Sequence, residues 1–382
     1  MTAPDETPSL GKKFLLAGVA TLVGLALSEW LCRLFIPAPQ QVTILPGKPP
    51  EAAPAQVNLS RHPEQGGLYL ETPAGRRLRP NTTVRIDRHA LSGIPIEIQT
   101  NSLGQRNREP GPKKGTRILF LGDSITFADY LPEESGYVRQ VETMARADGL
   151  DWETINAGVG AVSLKTELSI LLESGLALQP DVVVLAWYLN DFQDSKGVVL
   201  RRLPPLARHS RLVYSLSLVA GSGRASGLPE IPVSQWEVEW KRTVRSQLIA
   251  GDNRREAFFD EVDRAFPDWG GAWSPRAWEV MDPLLREFAR LSREHGFRPA
   301  WIAFPARPQV EAAFDTSEPQ RRLAAMAAGL KIPLLDTLPV LRSRAGASTA
   351  PLFYDQCHHT EEASRIIARA VADWLRDDVL PK

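Results

Sequence analysis

Arg117-Ile118-Leu119-Phe120-Leu121-Gly122-Asp123-Ser124-Ile125-Thr126 is the stretch on which the fold turns. Arg117 to Leu121 is a short apolar run, the pattern of a parallel strand buried on both faces. Gly122 gives the backbone freedom to leave that strand. Ser124 is therefore expected at the carboxyl end of the sheet, where α/β folds bind ligands. Gly-Asp-Ser is also a common turn composition, so the hydroxyl needs supporting groups before it reads as a nucleophile.

Working outward, apolar strands alternate with helices. Strands are expected at Arg117 to Leu121, Trp152 to Ile155, Val182 to Ala186, Pro299 to Phe304 and Pro333 to Leu335. Helices are expected at Ser135 to Ala147, Leu164 to Ser174, Pro283 to His295, Glu318 to Gly329 and Glu361 to Leu375. This alternation predicts an α/β fold, a parallel sheet covered on both faces. Residues 192–282 break the rhythm and read as an insertion. In it, Arg201, Arg202, Arg208 and Arg211 interleave with Leu203, Leu206, Leu212, Tyr214, Leu216 and Leu218, a pattern suited to anionic lipid or to covering the parent domain. Its tryptophans, Trp236, Trp240, Trp269, Trp273 and Trp278, suit a sugar or acyl pocket, with core packing as the default.

Support for a nucleophile comes from the far end of the chain. Asp355 and His358 stand three apart in Asp355-Gln356-Cys357-His358. A carboxylate there can hold one imidazole nitrogen while a distant serine approaches the other. His359 is the competing base. Donors for a developing oxyanion are available in two loops, Asn156-Ala157-Gly158-Val159-Gly160-Ala161 and Trp187-Tyr188-Leu189-Asn190-Asp191.

The ordered set of Gly-Asp-Ser, glycine-containing loop, Asn-Asp and Asp-x-x-His resembles the SGNH hydrolase superfamily, also called GDSL esterases and lipases, over about Thr116 to Leu375. The resemblance implies a three-layer α/β/α fold with a flavodoxin-like sheet. It also implies Ser124 as nucleophile, His358 as base, Asp355 as its orienting acid, and Ser124 N–H with Asn190 in the oxyanion hole. The family pattern Asn-x-Gly-x-x-Gly puts Ala161 where a second glycine donor is usual, with Gly160 one residue early, so both stand as candidate donors. Spacing favours His358 over His359, which falls on a packing position. Asp123 and Asp191 are read as structural. The segment Thr100 to Arg106 resembles the lead-in of membrane-anchored bacterial members. It is read as a packing turn, with Arg106 as a ligand for an anionic substrate the second option.

The amino terminus sets the location. Lys12-Lys13 precede an uncharged run from Phe14 to Leu27, and the apolar pattern continues through Trp30, Leu31 and Leu34 to Ile36 before Pro37. About 20 residues cross a hydrocarbon core. Residues 1–37 are thus expected to be a cytoplasmic tip and transmembrane anchor in a bacterial inner membrane, oriented by the leading lysines with the rest outside. A signal peptide cleaved near Ala26-Leu27-Ser28 is the competing reading. Residues 38–115 are expected to form a linker, Pro37 to about Pro80, and a small β accessory segment with strands at Thr83 to Asp87 and Pro95 to Thr100. Residues 116–382 form the catalytic domain.

Zero formal net charge argues against a nucleic-acid partner. The cysteines Cys32 and Cys357 give no disulfide framework, and no Cys/His cluster has metal-ligand spacing, so neither metal nor cofactor is expected. The expected activity is a serine esterase acting through an acyl-enzyme on an acylated saccharide or lipid, with an acetyl ester of an envelope or exported polysaccharide as its leading form. An O-acyltransferase using the same residues, and an idle envelope scaffold, are the alternatives.

Overall fold

The computed structural model describes residues 10–35, 42–45, 68–72, 74–89, 91–192, 206, 209–213, 215–216, 254–265, 268–345 and 351–380. The chain divides into two compact units, Met1–Gln41 with Arg201–Glu230, and Val42–Leu200 with Ile231–Lys382.

The larger unit opens on short antiparallel strands. Val42–Leu45 (β1), Thr83–Ile86 (β4) and Ile96–Gln99 (β5) form one sheet in the order β1-β4-β5, and Tyr69–Thr72 (β2) pairs with Gly75–Leu78 (β3). Val84 faces Ile98 across β4 and β5, and both are buried. Strands β1, β2 and β3 fall in the stretch read as linker. Each is four residues long, too short for period-two alternation to stand out beside prolines.

The main sheet consists of Thr116–Gly122 (β6), Trp152–Asn156 (β7), Val182–Trp187 (β8), Arg298–Ala303 (β9) and Leu334–Asp336 (β10). Its order is β10-β9-β8-β6-β7 with every neighbouring pair parallel. That is the flavodoxin-like arrangement, whose switch point lies between β6 and β8. Ile118 to Leu121 and Val182 to Leu185 are wholly excluded from solvent, which explains why these strands are apolar throughout rather than alternating. Burying each such side chain contributes roughly 1.5–3 kcal/mol.

Helices Tyr137–Ala147, Thr337–Ala345 and Glu361–Trp374 pack together on one face, and Leu164–Ile170, Pro275–His295 and Glu318–Leu330 cover the other. The three-layer α/β/α arrangement is therefore present. One helix starts earlier than the sequence suggested: Pro283 lies inside Pro275–His295 instead of opening it. Ser274 caps the true start by accepting from Arg276 N, and Pro275 occupies the first turn where no N–H is needed. Trp278, Met281, Leu285 and Phe288 then bury a continuous face, whose packing outweighs the bond lost at Pro283.

In the other unit, Leu10–Phe35 is one helix of 26 residues, long and apolar enough to cross a membrane; a signal sequence passes the same test. Glu29 pairs with Arg33 at 2.7 Å. Glu29 also accepts from Ser210 Oγ and from the N–H groups of Arg211 and Leu212, so the described part of the basic segment packs on this helix. Arg201, Arg202, Leu203, Arg208, Tyr214, Leu218, Trp236 and Trp240 lie outside the described residues.

Candidate active site

Leaving β6, Asp123 accepts from Ile125 N at 2.8 Å and starts a single helical turn, Ser124–Phe127. The turn is held from three sides. Asn156, at the end of β7, donates Nδ2 to Thr126 O at 2.7 Å. Gly158 follows so closely that a Cβ there would overlap the backbone of Thr126 and Phe127, which is why this loop needs its glycine. Arg106, fully buried, donates to the carbonyls of Phe127, Ala128 and Leu131. Arg106 thus serves the structural role in the Thr100 to Arg106 turn, with its charge spent on backbone oxygens.

The loop from Leu352 to Thr360 folds back on itself. Tyr354 N donates to His358 O, Thr360 N donates to Leu352 O, and Thr360 caps helix Glu361–Trp374. Within this loop His358 Nε2 lies 2.8 Å from Ser124 Oγ, and His358 Nδ1 lies 2.6 Å from Asp355 Oδ2. Asp355 Oδ1 accepts from the N–H groups of Cys357 and His358. A carboxylate only accepts, so the imidazole proton sits on Nδ1 and Nε2 is left to accept from the serine. Tyr130 stacks edge-on against the His358 ring at 4.9 Å. Burial alone would lower the His358 pKa. The Asp355 charge and hydrogen bond outweigh burial, with help from Asp129 and Asp123, and raise it from 6.5 to about 9. Burial likewise opposes ionisation of Asp355, but His358 and the N–H donors hold it below its usual range.

His359 points elsewhere. It is buried between Phe304 and Phe353, its Nε2 has no partner, and burial followed by repulsion from His358 lowers its pKa to about 3. Asp191 is buried, accepts from Tyr188 N at 3.0 Å and acts within its own turn. Burial raises Asp123 to about 6 against the pull of the Ile125 N–H. Among the described residues, only Asp355, Cys357 and His358 bring metal-ligating atoms together, within 4.8 Å. Those of Asp355 and His358 are engaged in the bonds above, and burial holds the Cys357 thiol protonated.

The candidate oxyanion donors come from the same strand ends. Among the described residues the N–H groups of Ser124, Gly160 and Ala161 make no hydrogen bond. Ala161 has φ +61°, the left-handed region where a Cβ is penalised by about 1 kcal/mol or more. A Cβ on Gly160 would come within 2.7 Å of the Tyr69 hydroxyl. Asn190, after β8, donates Nδ2 to Asp268 Oδ1 at 2.9 Å, and its Oδ1 is buried without a partner.

Asp268, Tyr69 and Tyr130 are neighbours of the site that the sequence reading did not single out. Tyr69 stood in the supposed linker and Asp268 in the insertion. Neither has a fixed spacing to the residues it meets. Trp269 and Trp278 are buried in core, with Trp269 against Phe258 and Trp273, and Trp278 against Trp187.

No family model and no curated protein matches the chain. Solved structures do match. Acetyl xylan esterase AlAXEase has a TM-score of 0.38 and 13% identity over 68% of this chain and 100% of its own. The acetylxylan esterase Axe2 of Geobacillus stearothermophilus has 0.39 and 16%, over 69% and 98%. A G-D-S-L family lipolytic protein of Desulfitobacterium hafniense has 0.36 and 12%, over 68% and 98%.

Proposed function

We propose that this chain is a serine ester hydrolase of the SGNH type, held at a membrane by Leu10–Phe35, that removes acyl groups, acetyl among them, from an envelope or exported polysaccharide. The observation that carries this reading is the continuous chain of hydrogen bonds from Ser124 Oγ through His358 to Asp355. Ser124 Oγ attacks the ester carbonyl as His358 Nε2 takes its proton. The N–H of Ser124, an N–H from Gly160 or Ala161, and Asn190 Nδ2 surround the oxyanion. His358 returns the proton to the departing sugar oxygen, and water repeats the sequence to free the acid. A sugar hydroxyl in place of that water makes the same acyl-enzyme an O-acyltransferase.

The test is p-nitrophenyl acetate with the full-length protein in detergent, with and without an acetylated or unacetylated polysaccharide. The wild type should release nitrophenol and bind a fluorophosphonate covalently, and Ser124→Ala should abolish both while melting like the wild type. Undiminished turnover in Ser124→Ala would sink the assignment. Acetyl transfer to the polysaccharide exceeding release of acetate would select the transferase. Loss of the protein from carbonate-washed membranes would remove the anchor from the reading.

A further inference from the structure

Asn190 is the only amide side chain among the candidate oxyanion donors, and its orientation depends on a residue from the insertion. Asp268 follows the insertion helix Arg254–Arg264 and opens the short turn Trp269–Trp273. Its N–H and that of Gly270 both donate to Ala265 O, at 2.8 and 3.0 Å. Gly270 passes so near Val262 O that a Cβ would overlap it, which pins this turn to the helix. Trp269, buried at 0% exposure beside Phe258, anchors the turn from the other side. Asp268 is therefore held by the insertion, and its carboxylate meets Asn190 Nδ2.

We propose that Asp268 is the positioning residue of the oxyanion hole. A carboxamide has a nitrogen face and an oxygen face of nearly equal shape. Here Oδ1 is buried with no donor to hold it, so nothing on that side fixes which face looks where. The Asp268 carboxylate, which only accepts, requires the NH₂ on its side. One N–H is spent on Asp268, and the second, fixed by the planar amide, remains for the oxyanion. A charge-assisted bond of this kind is roughly twice as strong as a neutral one.

This inference rests on the hydrolase reading above, and full-length protein with p-nitrophenyl acetate separates the two. Asn190→Ala should lower kcat by about 10²- to 10³-fold, the usual value of one donor. Asp268→Asn, isosteric and uncharged, should lower kcat about 10-fold and leave KM within about 2-fold, because the oxyanion exists only in the transition state. Asp268→Ala should lose more than Asp268→Asn and no more than Asn190→Ala. In the Asn190→Ala background either change at 268 should alter kcat by less than about 2-fold. Independent multiplicative losses, a raised kcat, or a change confined to KM would each overturn the positioning role. So would wild-type kcat in Asp268→Asn with normal fluorophosphonate labelling. A wild type that neither turns over nor labels overturns the hydrolase reading, and this inference with it.

Discussion

Residues 116–128 and the described residues of 254–273 both reach the candidate active site, but the forces that hold them there differ. The first region rests on the middle of the sheet. Ile118 to Leu121 are wholly buried between β7 and β8, and the turn that follows is tied to Asn156 and Arg106. The second region lies off the sheet, on a helix with buried Phe258 and Val262 and a turn with buried Trp269. It contributes a single carboxylate, through one hydrogen bond to Asn190. A group on the sheet is placed by local rules of strand and turn. A group on the insertion is placed by packing between residues distant in sequence.

If the sheet region carries the chemistry, the largest effect should follow from breaking its partner loop. His358→Ala should cost about 10⁴- to 10⁶-fold in kcat, by analogy with single triad deletions. His359→Ala should leave kcat within about 10-fold and instead lower Tm, since it removes a ring packed between Phe304 and Phe353. Steady-state kinetics and thermal melts on the two variants check this. Similar losses of kcat in both would mean that the loop register is wrong and that proximity to Ser124 does not identify the base.

A smaller, more specific effect concerns pH. The sequence alone suggests an acid limb in the ordinary histidine range, about 6 to 7. The folded site raises His358 to about 9 through Asp355. Only neutral imidazole can take the serine proton, so kcat/KM should climb with pH through neutrality and level off above about 9. Asp355→Asn removes the charge that stabilises imidazolium, so the limb should move toward lower pH even as kcat falls about 10⁴-fold with the wrong tautomer. A wild-type limb at 6 to 7, unmoved in Asp355→Asn, would show that Asp355 does not set the basicity of His358.

What the sequence made legible follows the same divide. Solid apolar runs mark β6 and β8 because strands covered on both faces have no polar side to confuse the pattern. Asp355 and His358 were legible because three residues of separation let one loop hold the carboxylate against the imidazole Nδ1 and leave Nε2 for Ser124. Tyr69 and Asp268 were not, because a four-residue strand among prolines and a turn in an insertion have no periodicity that points to their partners. Pro283 misled for a related reason: its usual position at a helix start is a local preference, here overridden by the buried face of Trp278 and Met281. The 2.6 Å bond that moves the His358 pKa depends on how the loop from Leu352 to Thr360 folds back on itself, which composition does not encode.

The smallest expected effect lies at Ala161, where sheet-end geometry and sequence disagree. Its φ of +61° suits glycine, yet the chain keeps a Cβ there. Gly160 beside it is confined by a different constraint, the Tyr69 hydroxyl, and not by a left-handed backbone. Ala161→Gly should relieve strain of about 1 kcal/mol, offset in part by the greater freedom glycine gives the unfolded chain. The net change in Tm should be a rise of no more than about 2–4 °C. The N–H itself is unchanged, so kcat should stay within about 2-fold. Gly160→Ala should act in the opposite sense, because its methyl must displace Tyr69 and drag the loop with it; kcat should fall more than Tm does if the donor is in this loop. A destabilised or inactive Ala161→Gly would mean that the alanine methyl supports the oxyanion loop by contact and that the left-handed backbone is not the source of strain.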